Sequence, residues 1–383
     1  MNIRTAKSQH GFTLLELMVA SAIGLVLILA ATSLFKMGMD ATFTVTQRAE
    51  TQQNMRAAVE LITKDISLAG AGLPSGGIQL PTNAVSQFAC NQTGTCYVPA
   101  HNYPNNATGG INYMYGIIPG FNNGVQNNAV IPSAPGQINS SVTTIYCDYN
   151  FPLSNFTFTF AGATSVTVAV VNGAVQPNSI LAPGGLNAGD LMLFVVSGAG
   201  NPVNGNTPVQ TAAGVGEITT IPNANTMTFN NGDPLNLNQT AGTNNLTAVA
   251  AAAAAAGSQM TVCRLYAVTY FLQVPPAAGT VQTPRLMRQV NGLTAVPVAD
   301  NIMNLQITYD VIDSNLCTIT ANQVDPIGAG QSPSLIQKVN IWVIGSSVTQ
   351  SGRKAQNMYL ATSVSARDMS FCNSYSSSNT SCN

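Results

Sequence analysis

Apolar residues run almost without interruption over residues 12–35, and one carboxylate, Glu16, sits near the start of the run. About 24 residues make a helix of ~36 Å, which spans a ~30 Å hydrocarbon core with some tilt. No stop follows at Lys36. Polar and apolar residues continue without proline as far as Leu73, and Met55, Ala58, Val59, Ile62 and Ile66 recur at spacings of three and four, the pattern of one buried helical face. Glu50, Arg56, Glu60 and Lys64 take other faces, with Glu60 and Lys64 placed for an i,i+4 pair. Gly70, Gly72 and Pro74 then supply stop signals. The pattern predicts one helix from Phe12 to about Leu68, ~85 Å long, with its first half in lipid and its second half covered by a sheet. Gly38 is where that helix divides if the second half is instead an independent amphipathic helix.

The period changes after Ser75. Up to about residue 140 the chain is rich in Gly, Pro and Asn with no sustained repeat, which reads as long loops with one strand at 111–117. Short segments rich in Val, Thr, Ile, Phe and Tyr follow at 141–149, 155–160, 166–171, 190–197, 217–221 and 226–229. Gly, Asn and Pro turns separate them, as in antiparallel β structure. Residues 250–256 are seven consecutive alanines, which fit either two helical turns or a loop. Residues 260–273 form a long apolar and aromatic strand, and Leu305, Ile307, Tyr309 and Val311 alternate with polar neighbours as in a half-buried one. Val339, Ile341, Val343 and residues 358–366 continue the theme. The predicted class is α+β, a long N-terminal transmembrane and amphipathic helix packed on an antiparallel β-rich globular domain.

Composition narrows the setting. A formal net charge of -1 offers no basic field for nucleic acid. Between Lys64 and Arg264 there is no Lys or Arg, and the acids after Asp65 in that interval are Asp148, Asp190, Glu217 and Asp233. Asn, Thr, Ser and Gly therefore supply the solvated surface, which suits an exported β-rich protein. Cys90 and Cys96 lie close together in a polar loop, and Cys372 and Cys382 bracket a Ser/Asn tail. Each pair reads as a short disulfide of an oxidising compartment. Cys147, Cys263 and Cys317 lie in or beside apparent strands, and spacing does not choose among their pairings.

Motifs of catalysis are not found. The two histidines are His10 and His101, and there is no G-x-S-x-G elbow, H-E-x-x-H or Walker loop. Asp300, Asp310 and Asp313 lack the alternating oxygen spacing of a calcium loop and read as solvated strand ends. No cofactor, metal or enzymatic activity is expected.

Chemistry concentrates at the amino terminus. A basic leader with Arg4 and Lys7 runs into Gly11-Phe12-Thr13-Leu14-Leu15-Glu16 and then the apolar run. An ionisable residue inside a membrane costs at least ~2.5 kcal/mol at the bilayer centre, so Glu16 is a functional candidate. This segment resembles the processing site of type IV prepilins and type II secretion pseudopilins. The resemblance implies cleavage between Gly11 and Phe12 by a prepilin peptidase, methylation of the new terminus at Phe12, and pairing of Glu16 with the terminal ammonium of a neighbouring subunit. Leu61, Asp65, Ala69 and Gly70, with the strands at 262–270, 284–288, 301–309 and 339–344, are similar to PilW-type minor pilins, relatives of the J-type pseudopilin. The implied organisation is a leader at 1–11, a transmembrane half-helix at 12–36, an amphipathic half-helix at 37–70, a loop-rich region at 71–140, a β-rich domain at 141–371 and a disulfide-bracketed tail at 372–383. The implied role is initiation of pilus assembly with other minor pilins and the major pilin, from an inner-membrane position with the globular domain in the periplasm. A J-type pseudopilin, a pilus-tip adhesin using the loop around Cys90 and Cys96, and a membrane-anchored enzyme are the alternatives.

Overall fold

A computed structural model describes residues 11–74, 77–81, 113–120, 125–126, 140–198 except 163 and 175, 210–240 except 234, 245–273, 284–312, 318–323, 333–347 and 356–366. The chain divides into two compact units, Met1–Glu50 and Thr51–Asn383. Helix α1 (Leu14–Ser67) is continuous through Gly38, so the division allowed there by sequence does not occur. In the first unit its large apolar residues, among them Leu14, Leu25, Ile28 and Phe35, are exposed. In the second unit Thr51, Met55, Ala58, Val59, Ile62, Asp65 and Ile66 are buried. The predicted apolar face is the buried one, with two polar members added. Close approach requires a glycine: a Cβ at Gly345 would lie 2.5 Å from the Met55 sulfur. The helix ends where the Gly70 N–H, in the left-handed region at φ 87°, donates to the Ile145 carbonyl at 2.9 Å.

The strands begin with β1 (Ile78–Gln79), β2 (Tyr113–Met114), β3 (Ile117–Gly120) and β4 (Val125–Gln126). Next come β5 (Ser141–Asp148), β6 (Phe156–Phe160), β7 (Ser165–Val170), β8 (Leu191–Ser197), β9 (Gln210–Glu217), β10 (Thr220–Asn223) and β11 (Thr226–Thr228). Helix α2 (Leu246–Ala253) precedes β12 (Gln259–Gln273), β13 (Arg285–Val290) and β14 (Val296–Asp300). The last are β15 (Ile302–Ile312), β16 (Ile319–Gln323), β17 (Ile336–Ser346) and β18 (Asn357–Ser365).

Strand β12 organises the largest sheet. It pairs antiparallel with β8 through residues 259–265, with β5 through 264–270 and with β13 through 268–273. Strand β3 continues beyond β5, β9 beyond β8 and β14 beyond β13. Two four-stranded antiparallel sheets accompany it, ordered β10-β11-β7-β6 and β16-β15-β17-β18. The chain is thus α+β with a long N-terminal helix and an antiparallel β-rich domain, as its periodicity predicts. One core joins the buried face of α1 to β15, β17 and the second half of β12, and another, around Phe194, Phe229 and Val249, lies under α2.

Several local expectations change. Residues 117–120 are fully buried and belong to the large sheet, where sequence predicted a strand only over 111–117. Glycine and proline at 119–120 mask the signal, and Gly120 leaves room for the Ser141 hydroxyl, which a Cβ there would displace. The predicted strand at 217–221 is two strands, β9 and β10. The alanine run contributes to α2, whose start is fixed by Asn245: its Oδ1 accepts the N–H groups of Thr247 and Ala248 at 3.1 and 3.2 Å. Leu246 and Val249 then pack where Gly214 and Gly216 leave room on β9. Asp310 is not a solvated strand end. It is buried, pairs with Lys338 Nζ at 2.8 Å and accepts from the Asn322 N–H and Asn340 Nδ2 at 2.9 Å each. Burial opposes its charge, yet these partners hold its carboxyl below the ordinary value.

Candidate processing and assembly segment

Gly11 and Phe12, the expected cleavage pair, are exposed and precede the first helical residue. Thr13 and Glu16 cap that helix reciprocally. The Thr13 N–H and Oγ1 both donate to Glu16 Oε2, at 3.0 and 3.1 Å, and the Glu16 N–H donates to Thr13 Oγ1 at 3.2 Å. This is a capping box, in which two amide donors left over at a helix start are satisfied by side chains. Among the described residues Glu16's side-chain bonds fall on Oε2, which leaves Oε1 open to a further donor. The T-x-x-E spacing carries this signal, and attention to Glu16 as a lone intramembrane charge passes over it.

The second half of α1 carries a different carboxylate. Asp65 is buried, and its oxygens accept the hydroxyls of Tyr146 at 3.0 Å and Tyr270 at 2.6 Å together with Arg288 Nε at 3.1 Å. The Tyr270 hydroxyl also reaches the Leu61 carbonyl at 3.3 Å. Burial, reinforced by the Asp65 charge, pushes both tyrosine hydroxyls well above their ordinary range, so they remain donors. Four side chains from α1, β5, β12 and β13 therefore close one network between helix and sheet. Sequence places Asp65 one position before Ile66 of the apolar face, but its partners lie 81, 205 and 223 residues away.

A second buried network reinforces the middle of the domain. Arg264 pairs closely with Asp148, donates to the Gly184 and Gly185 carbonyls at 3.1 and 2.9 Å, and lies 3.7 Å from Asp190. Directly before both members of that pair, Cys147 on β5 and Cys263 on β12 form a disulfide with Cα atoms 5.7 Å apart. This chooses among the pairings that sequence left open. Cys317 and the expected pairs Cys90/Cys96 and Cys372/Cys382 lie outside the described residues, as does His101.

Glu217 is the exception to this pattern of compensated charge. It is buried at the end of β9, and its Oε2 has no partner among the described residues. Burial first, and the neighbouring Asp233 second, push its carboxyl up to about 8. Among the described residues no group of three or more His, Cys, Asp or Glu side chains is placed to hold a metal ion.

One described helix, α1, is long and apolar enough to cross a membrane. A family model described as the prokaryotic N-terminal methylation motif matches residues 6–32. The match spans the end of the expected leader, the Gly11-Phe12 junction, the capping box and most of the apolar run. These residues are similar to the amino termini of type IV pilins and pseudopilins. No curated protein and no solved structure matches the chain.

Proposed function

We propose that this chain is a minor pilin of a type IV pilus. A prepilin peptidase cuts between Gly11 and Phe12 and methylates Phe12. Residues 12–36 then hold the chain in the inner membrane with the β-rich domain in the periplasm. Together with other minor pilins, the mature subunit primes the filament into which the major pilin is added. The observation that carries this reading is the N-terminal methylation motif lying on the first turns of an apolar helix that continues to Ser67.

Physical chemistry supports the assembly step. Large apolar side chains exposed along the first unit need lipid or protein around them. A bundle of neighbouring helices replaces lipid with protein, so a subunit can leave the membrane without wetting that surface. Glu16 gives the bundle register: its open Oε1 accepts the ammonium of Phe12 from an adjacent subunit. A buried charge without a partner is strongly unfavourable, whereas a paired one is tolerated, so misaligned subunits are rejected.

Deletion of the gene tests the reading directly. Loss of surface pili with protein secretion intact is expected, and mass spectrometry of the mature chain should begin at methylated Phe12. Intact pili with failed secretion would instead identify a pseudopilin, and a mature terminus elsewhere would refute the processing site.

A further inference from the structure

Strand β5 leaves the large sheet early. Its last pairing with β12 is Asp148 opposite Arg264, whereas β12 begins at Gln259. Strand β8 covers the other edge of residues 259–265. Alternation fixes which backbone groups remain. The Ile218 N–H donates to the Asp190 carbonyl on the β9 side of β8, so the odd residues of β8 bond to β12 and engage Thr261 and Cys263. The N–H and C=O groups of Met260 and Val262 therefore point into the lane that β5 has vacated. No described strand occupies that lane.

A second open edge faces it. Among the described residues strand β6 is the last strand of its sheet and pairs only with β7. The Val171 N–H donates to Asn155 and the Ala161 N–H donates to Ser165, which assigns the odd residues of β6 to β7. The backbone groups of Phe158 and Phe160 therefore point outward. Residues 156–160 of β6 and 260–263 of β12 line one cleft of about 890 Å³. Phe156, Phe160, Pro152, Val262 and the small side chains of Ala250 on α2 and Ala254 just after it also face it. Among the described lining residues the one carboxylate, Asp148, is neutralised by Arg264, and none is cationic.

We propose that the cleft between β6 and β12 receives one extended, uncharged strand of a partner polypeptide, completing both sheet edges at once. Exposed strand edges are templates for such pairing, and main-chain hydrogen bonds supply the affinity when a peptide adds to an edge. Here two edges present donors and acceptors to the same space. A short aliphatic chain fills apolar volume but leaves those groups unpaired, and a segment bearing Lys or Glu brings a charge that nothing in the cleft matches. The required partner alternates β-branched apolar residues with hydroxyl residues, like the strands that surround it. This inference does not depend on the pilus reading.

The test uses the full chain in detergent and an end-capped heptapeptide of alternating Thr and Val. Two control peptides carry Pro or Lys at the centre. Binding is read by fluorescence anisotropy and by amide hydrogen exchange. The Thr/Val peptide is expected to slow exchange at Phe158, Phe160, Met260 and Val262 by about tenfold or more, as new hydrogen bonds protect amides. The controls should not. Thr159→Lys and Thr261→Lys, both at exposed positions lining the cleft, should weaken binding by about tenfold or more while leaving the circular dichroism spectrum unchanged. Equal binding of the Lys peptide, strong protection of all four amides in the free chain, or uptake of dodecanol with those amides still exchanging freely would each overturn the proposal.

Discussion

Thr13 and Glu16 cap the start of α1 together, and in the proposed filament Glu16 takes a second role between subunits. Replacing an N-cap residue by Ala costs ~0.5–2 kcal/mol, so Thr13→Ala should fray the start of α1 while keeping the carboxylate. Glu16→Gln preserves a capping box and removes the charge. If the ammonium of Phe12 is the partner, Glu16→Gln should cut filament incorporation severalfold, Thr13→Ala should cut it less, and membrane insertion should be unchanged in both, measured by immunoblot of sheared filaments and membranes. Glu217 makes a prediction of opposite character. Its carboxyl is raised from the ordinary 4.5 to about 8, so the folded state holds a proton that the unfolded state releases. Its contribution is fully present below about pH 4.5, falls as pH rises, and is lost above about pH 8. Glu217→Gln should flatten that slope and stabilise the domain by ~1–3 kcal/mol above pH 8, the scale of an unsatisfied buried group, as followed by denaturant unfolding.

Elements were legible where one period dominates. The stripe from Met55 to Ile66 predicts its own burial because all five apolar residues belong to a single face of a single helix. Strands β12, β15 and β17 announce themselves through β-branched and aromatic residues. Strand β3 escapes detection because Pro119 and Gly120 resemble a turn, and their role is set by Ser141 on another strand. Helix α2 was undecidable from alanines alone, since the decision rests on the Asn245 cap and on glycines in β9. Gly216→Ala should therefore damage α2 from a distance: the new Cβ would lie 2.6 Å from Leu246 and 2.8 Å from Phe229, and overpacking of this kind costs ~1–3 kcal/mol. A fall in thermal midpoint without loss of the α1 helical signal checks it. Asp65→Ala should be harsher, by ~3–5 kcal/mol, because it leaves Arg288 without its carboxylate and the Tyr146 hydroxyl without its acceptor, while Tyr270 keeps only the longer contact to the Leu61 carbonyl. Proteolysis within residues 51–67 of the solubilised chain should then accelerate. The candidate site was readable only at its amino-terminal end, where the motif is local. The Asp65 network depends on long-range pairings that no spacing encodes.

Across the whole molecule, covalent and electrostatic reinforcement coincide at one crossing of β5 and β12. Cys147 to Cys263 and Asp148 to Arg264 join the same two strands at adjacent residues. The disulfide closes a loop with a sequence separation of 116. Closing a loop of that size stabilises a fold by ~2–5 kcal/mol, and Cys147→Ser should lower unfolding free energy by that amount under oxidising conditions and change nothing under reducing ones. The same disulfide sets how the chain responds to being pulled. Tension entering through α1 and leaving toward the carboxyl terminus crosses from Cys147 to Cys263 through sulfur and bypasses the chain between them. At ~3.5 Å per residue, that withholds ~400 Å of extension, and β6 to β11 carry no load however hard the ends are drawn apart. Single-molecule stretching should show the missing length appear only after reduction.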